Sequence, residues 1–337
     1  MSITVVGSIA YDAVKTPFGE RERMLGGAAV HFALAASLFE QVHVVGPVGD
    51  DFGEGELDLL RGRGVDVSDV ERVAGGKTFF WRGEYGWDLN SRETLDTQLG
   101  VFEGFQPKLS AGSRASDVLF LANIQPDLQR EVRAQLPGAR FTALDSMNLW
   151  IEDARDSLVQ AICSVDCVIL NDAELRQLTG KPNLVSAARE VLSWTSSPPS
   201  SGENHSSEDA PTPGSARGPS VIVAKQGEYG AALITRERFF SLPAFPLESV
   251  VDPTGAGDTF AGGFVGYIAA HLGEGDRELS DELLRAAMAH GTALASFNVE
   301  EFGTERVLRL TGEEIAARVR ELRTITSFSG ATLLPRN

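Results

Sequence analysis

Apolar and polar positions alternate along this chain in blocks of two kinds. Residues 2–7, SITVVG, are β-branched and end in glycine, which predicts a buried strand. Residues 28–39, AAVHFALAASLF, follow a glycine pair and are apolar nearly all round, as in a buried helix. VHVVG (42–46) predicts another strand. In residues 52–65, Leu57, Leu60 and Val65 recur at near-helical spacing, with Gly62 and Gly64 marking the end. Further on, VLFLA (118–122), FTALD (141–145), CVIL (167–170) and VIVA (221–224) are strand-like. Amphipathic helical stretches near 127–136, 153–164, 172–179 and 185–194 lie between them. Strand and helix in alternation predict an α/β fold, doubly wound, with a mainly parallel central sheet and helices on both faces. Ligands of such sheets bind beyond the carboxyl ends of the strands.

Two segments break the rhythm. Residues 74–105 contain KTFFWRGEYGWDLN, rich in glycine, aromatics and alternating polar residues. Together with 11–25 they predict a small antiparallel sheet apart from the main one, a β lid spanning 11–25 and 76–104. Its aromatics Phe79, Phe80, Trp81, Tyr85 and Trp87 suit either covering a ligand or packing a strand pair. Residues 195–220 are dominated by Ser, Pro and Gly, and predict a flexible surface insertion within a single domain of residues 1–337.

The formal net charge of −17 argues against affinity for nucleic acid or an anionic membrane surface. No apolar run is long enough to span a bilayer and no leader pattern is visible, so the expected location is cytoplasmic. The two cysteines, Cys163 and Cys167, are too few for a metal site or a disulfide framework and are expected to be core thiols. GGKT (75–78) imitates the end of a P-loop, but Glu71 stands where the first glycine is needed.

The chemistry concentrates in DPTGAGDTF, residues 252–260. Pro253 fixes one backbone angle, and Gly255-Ala256-Gly257 can turn successive N–H groups into one concavity. Phe260, Ala261, Phe264, Val265, Ile268 and Leu272 then follow at helical spacing. The concavity thus lies at a helix N-terminus, where an anion such as a transferring phosphoryl group is stabilised. Asp258 can take a proton from an attacking hydroxyl, while the three amides form the anion hole. A simple N-cap beside a tight turn would use the same residue types.

This string resembles the C-terminal signature of the ribokinase-like (PfkB) carbohydrate kinase family, and the resemblance runs from residue 3 to about 323 outside the insertion. It implies an ATP-dependent kinase that phosphorylates a hydroxymethyl group of a small sugar, or of a nucleoside by the same mechanism. A catalytically idle ATP- or sugar-binding sensor is the alternative of another class. LNDAEL (170–175) is similar to the family's Asn-x-x-Glu element, so Asn171 and Glu174 would organise ATP and Mg²⁺, the metal being held by Glu174 through water; the same spacing also makes a capping box. By the same resemblance Lys225, Gly227, Gly230 and Asn298 would contact ATP. Asp12, Gly26, Gly27, His31 and Asn123 would line the substrate pocket. Asp252 and Thr254 would hold a monovalent cation such as K⁺. Asp145 and Asn148 match the family's central Asp and Asn only loosely. Many sugar kinases of the family carry Asn shortly after the glycine pair, where this chain has Val30 and His31, and this departs from a ribose-type pocket. The lid aromatics would suit a nucleobase, and Arg82 and Arg92 are the cations that could meet a phosphate on the acceptor. Lid strands pairing across a two-fold axis would give a homodimer.

Overall fold

The computed structural model describes residues 1–195, 218–273 and 279–327, so most of the insertion expected at 195–220 lies outside the described residues. The chain begins with β1 (Ser2–Val6), β2 (Ala10–Thr16), β3 (Gly19–Gly26), α1 (Ala28–Ala36), β4 (Gln41–Gly49), α2 (Glu54–Gly62) and β5 (Val65–Val73). Next come β6 (Phe79–Tyr85), β7 (Arg92–Gln98), α3 (Ala111–Arg114), β8 (Val118–Leu121), α4 (Pro126–Gln135), β9 (Phe141–Asp145), α5 (Asn148–Asp153) and α6 (Arg155–Ile162). They are followed by β10 (Cys167–Asn171), α7 (Asp172–Thr179), α8 (Leu184–Ser193), β11 (Val221–Lys225), β12 (Ala231–Ile234) and β13 (Phe239–Leu242). Helices α9 (Ala256–His271), α10 (Asp281–Asn298) and α11 (Gly312–Thr326) complete the described chain.

The main sheet has the order β13-β12-β11-β10-β9-β8-β1-β4-β5. Its strands from β11 to β5 are parallel, and β12 and β13 add an antiparallel edge. The two-residue period of the strands divides the interior into two cores. Val118 and Phe120 face one core, with α1, α9 and α10, whereas Leu119 and Leu121 face the other, with α4, α6, α7 and α8. Both cysteines are buried, as expected of core thiols. Among the described residues no helix is long and apolar enough to cross a membrane.

The expected elements are present, β12, β13, α3 and α11 appear in addition, and three further differences stand out. Residues 153–164 form the end of α5 and then α6, because Ala154 leaves the helical region at φ −140°. Strand β5 was not expected: its sequence VDVSDVERV serves a half-exposed sheet edge and lacks a buried run. The lid, ordered β3-β2-β6-β7, is mixed rather than antiparallel, since β2 and β6 pair in parallel. Both strands leave the main sheet just past parallel strands, β1 and β5, and so set off in the same direction.

Helix α9 is wedged between α1 and α10, and its glycines set how close they come. A β-carbon on Gly262 would lie 2.4 Å from the Phe32 carbonyl oxygen of α1, and one on Gly263 would lie 2.8 Å from Leu294 of α10. Because the obstacle at Gly262 is backbone, the helices cannot yield cheaply. Gly262→Ala is expected to destabilise the fold by about 1–3 kcal/mol by overpacking. Chemical denaturation checks this; unchanged stability would show that the α1–α9 contact is loose.

Candidate active site

Adjacent strand ends deliver the polar residues. β9 ends at Asp145, β10 at Asn171 and β11 at Lys225, and Asn171 and Lys225 are register partners. The site therefore lies beyond the carboxyl edge of the parallel strands, where such sheets leave their crevice. Lys225 Nζ donates to Asp145 Oδ2 at 2.9 Å, with little of either side chain exposed. Burial opposes the charge on Lys225, but Asp145, Glu174 and Asp258 outweigh it and raise its pKa.

The 252–258 loop brings the N-terminus of α9 to the same place. Gly255 caps the helix at φ 73°, and a β-carbon there would strike the His31 ring at 2.3 Å. Only glycine satisfies both the angle and the close approach. The Ala256 N–H is spent on the Pro253 carbonyl at 3.2 Å. The open donors of the expected anion hole are therefore the Gly255 and Gly257 amides. Lys225 Nζ lies 3.0 Å from where a Gly257 β-carbon would stand, so its charge adjoins the same concavity.

Asp258 follows on the first turn of α9. Burial and the charge of Asp145 push its pKa up to about 7, against Lys225 and Arg92, which favour the ionised form. Glu174 is likewise raised to about 7, chiefly by burial, with Lys225 opposing. Its side chain and Asn171 form the capping box of α7: Asn171 N–H donates to Glu174 Oε2 at 2.8 Å and Glu174 N–H to Asn171 Oδ1 at 2.7 Å. Glu174 Oε1 takes no hydrogen bond among the described residues. Among the described residues no three His, Cys, Asp or Glu side chains form a group that could hold a metal directly.

On the acceptor side Asp12 is buried, accepts the Gly27 N–H and has its pKa pushed up to about 7, first by burial and then by Asp252. Gly26 makes room for it, because a β-carbon there would sit 2.0 Å from Asp12 Oδ2. Gly27, at φ 97°, passes within 2.4 Å of the Ser8 carbonyl by the same measure. Asp12, Gly26 and Gly27 thus form one unit.

Other expected contacts are spent inside the protein. His31 and Asn298 are buried behind the anion hole, not in a pocket. Burial lowers the His31 pKa to about 4, so the neutral ring donates from Nδ1 to Asn298 Oδ1 at 3.2 Å. Asn298 Oδ1 also accepts from the Thr259 hydroxyl, and its amide donates to the Thr254 carbonyl at 2.8 Å. Asp252 is fully buried, with its two oxygens accepting the Thr254 and Gly303 N–H groups at 2.9 Å each. The Thr254 hydroxyl donates to Tyr85 of the lid at 3.2 Å. Asn123 is held by Trp150, which donates to its Oδ1 at 2.9 Å, and by Met147. Gly230 is needed for packing, since a β-carbon would meet the Leu242 carbonyl at 2.1 Å. Gly227 opens a short turn to Tyr229 that the lid touches, where Asn90 Nδ2 donates to Glu228 Oε1 at 2.8 Å.

The lid aromatics mostly pack. Phe79 stacks on Phe102, Phe80 joins the main core, Tyr85 is buried, and Trp87 is 86% exposed. Sequence reasoning missed the Lys225–Asp145 pair and the Tyr85–Thr254 contact. Neither has a local signal, since their partners are 80 and 169 residues apart.

The residues 2–80 and 115–309 match the model of the pfkB family carbohydrate kinases. The chain belongs to this family. It is accordingly an enzyme, an ATP-dependent sugar or nucleoside kinase. It is 29% identical over 274 residues to a cytidine kinase of Thermococcus kodakarensis, covering 79% of this chain and 88% of that protein. An adenosine kinase from Sinorhizobium meliloti superposes with a TM-score of 0.73 at 18% identity, over 95% of this chain and 99% of that one. Aminoimidazole riboside kinase from Salmonella enterica, solved with its riboside and an ATP analogue, gives a TM-score of 0.66 at 19% identity over 95% and 100%.

The raised pKa of Asp258 has a consequence for stability. The folded kinase holds this proton more tightly than the unfolded chain, whose carboxyl stays near 3.8. The stabilisation is full below that value and is lost as pH rises through about 7. Asp258→Asn should therefore raise the melting temperature at pH 8, by roughly 1–3 °C, and raise it by clearly less at pH 5. Thermal melts at both pH values test this; a lower melting temperature at pH 8 would contradict it.

Proposed function

We propose that this kinase transfers the γ-phosphoryl group of ATP to the hydroxymethyl group of a nucleoside. The observation that carries the transfer chemistry is the position of Asp258, a carboxyl raised toward neutrality on the first turn of α9, beside the open Gly255 and Gly257 amides and Lys225. A base poised near the working pH is the form general-base catalysis needs.

The chemistry is an in-line displacement. Asp12 holds and orients acceptor hydroxyls, and Asp258 takes the hydroxyl proton as that oxygen bonds to the γ-phosphorus. The bond from phosphorus to the ADP oxygen breaks, and its electron pair stays on ADP. The Gly255 and Gly257 amides and Lys225 stabilise the negative charge on the passing oxygens. Asp145 keeps Lys225 charged and in place. His31 and Asn298 act from behind, by fixing the Thr254 carbonyl and the entry to α9. Mg²⁺ would arrive with the ATP phosphates, where Glu174 would help hold it through water and the ion would neutralise phosphate charge. A K⁺ role for Asp252 and Thr254 is not carried forward, because their polar groups already tie the loop together.

A nucleoside is preferred over a free sugar because the cytidine kinase relative aligns over 88% of its length. The absence of an Asn shortly after the glycine pair also departs from a ribose-type pocket. The test is ATP-dependent ADP release with a panel of nucleosides, free sugars and sugar phosphates. Nucleosides should give the highest kcat/KM, and Asp258→Asn should lose about 10²–10⁴-fold of it. Higher turnover with a free sugar would overturn the nucleoside assignment, and full activity of Asp258→Asn would overturn the base.

A further inference from the structure

Helix α4 carries a polar residue on its buried face. Gln129, Val132 and Leu136 recur at the spacing that turns side chains to the core, and Val132 and Leu136 pack there with Leu119, Leu121 and Leu144. Gln129 has no exposed surface either. A methionine or leucine would fill the same place without burying an amide, so the amide calls for a polar task.

That task lies at the strand ends. β8 and β9 pair in register from Val118 with Phe141 to Leu121 with Leu144, and there their ladder stops. Asp145, the last residue of β9, is still partnered by Ile169 of β10 but has no partner on the β8 side. Gln129 Nε2 bridges the gap. It donates to the carbonyl oxygens of Ala122 and Asp145 at 2.9 Å each, and lies 3.4 Å from that of Leu121. Carbonyls can be met only by the NH₂ end of the amide, so its orientation is fixed. The other end, Oε1, is buried without a partner among the described residues. The amide is thus placed for these carbonyls and serves no other group.

The clamp acts on the charged end of the site. Asp145 receives it at the backbone, while its carboxylate accepts the Ser146 N–H on Oδ1 at 2.7 Å and Lys225 Nζ on Oδ2 at 2.9 Å. Lys225 Nζ in turn adjoins Gly257, lying 3.0 Å from where a β-carbon would stand. An unbroken path of contacts therefore runs from the Gln129 amide to the lysine charge beside the anion hole. Without the clamp, the end of β9 is held from the β10 side only. The Ala122 carbonyl would be released with it, at the exit that leads to Asn123 and its bond from Trp150.

We propose that Gln129 is a positioning residue for phosphoryl transfer: by tying the ends of β8 and β9 together it holds the Asp145–Lys225 pair where the lysine charge meets the anion hole. This rests on the phosphotransfer site described above and extends it beneath the sheet edge. Gln129 touches no substrate and acts through Asp145.

The experiment compares wild type with Gln129→Met, which keeps the length and removes the donors. It measures kcat and both KM values with the best acceptor of the panel, well below the melting temperature of each variant. Gln129→Met should lower kcat about 10–100-fold, the effect that a displacement of about 1 Å has on a reacting geometry. The acceptor KM should stay within about threefold. Leu136→Val, which loosens the same core away from the clamp, should lower the melting temperature and leave kcat within about threefold. In a Lys225→Met background, Gln129→Met should change kcat by less than about threefold, since both substitutions act on one cation. If Gln129→Met does not fold, Gln129→Glu, of the same shape but without the donors when ionised, takes its place in every comparison. Wild-type kcat in the variant would overturn the proposal. So would losses that multiply fully with Lys225→Met, an equal loss of kcat in Leu136→Val, or a raised acceptor KM at unchanged kcat. Any of these beside an inactive Asp258→Asn sinks the Gln129 role alone; absence of wild-type turnover with every acceptor sinks the underlying site as well.

Discussion

The close seating of α9 between α1 and α10 is the constraint on which the site depends. Gly262 and Gly263 let the helix approach two neighbours at once, and Gly255 lets its first turn lie against the His31 ring. With larger residues at these positions the helix would have to shift, and the amides at its N-terminus would no longer face Lys225. Asn298 reinforces the same geometry by bonding His31, Thr259 and the Thr254 carbonyl together. Packing thus aims a set of backbone dipoles before any substrate arrives. Such prior orientation makes electrostatic stabilisation effective, because nothing need reorganise during the reaction.

The site is costly to the fold. Asp12, Glu174 and Asp258 are all raised to about 7, with burial as the first cause for each. Lys225 offsets part of this at Glu174 and Asp258, though its partner Asp145 raises both. An acidic cluster around one buried lysine stabilises the folded state poorly at high pH, and that imbalance suits a bound phosphate only when cations balance it.

Much of this was legible in the sequence because it is local. DPTGAGDTF carries its turn, its helix start and its carboxylate within nine residues, and NDAE carries its own capping box. The parallel strands were legible because burial on both faces demands continuous β-branched runs. Strand β5, at a half-exposed edge, lacks that demand and left no clear pattern. The parallel pairing in the lid, the Lys225–Asp145 pair and the burial of Asn298 arise from contacts between distant segments, which no local period encodes. Asn298 and His31 looked like ligand contacts because polar side chains near a motif invite that assignment. Their hydrogen bonds show that polar groups can serve a site from behind it.

The central claim is that Asp258 is a base held near neutrality by its surroundings, and the pH dependence of kcat/KM for the best acceptor tests it most directly. Because the unprotonated carboxylate is the active form, kcat/KM should rise with pH along a limb whose midpoint lies near 7. A profile already flat from pH 5 upward would mean that Asp258 ionises as an ordinary carboxyl, and would contradict the account.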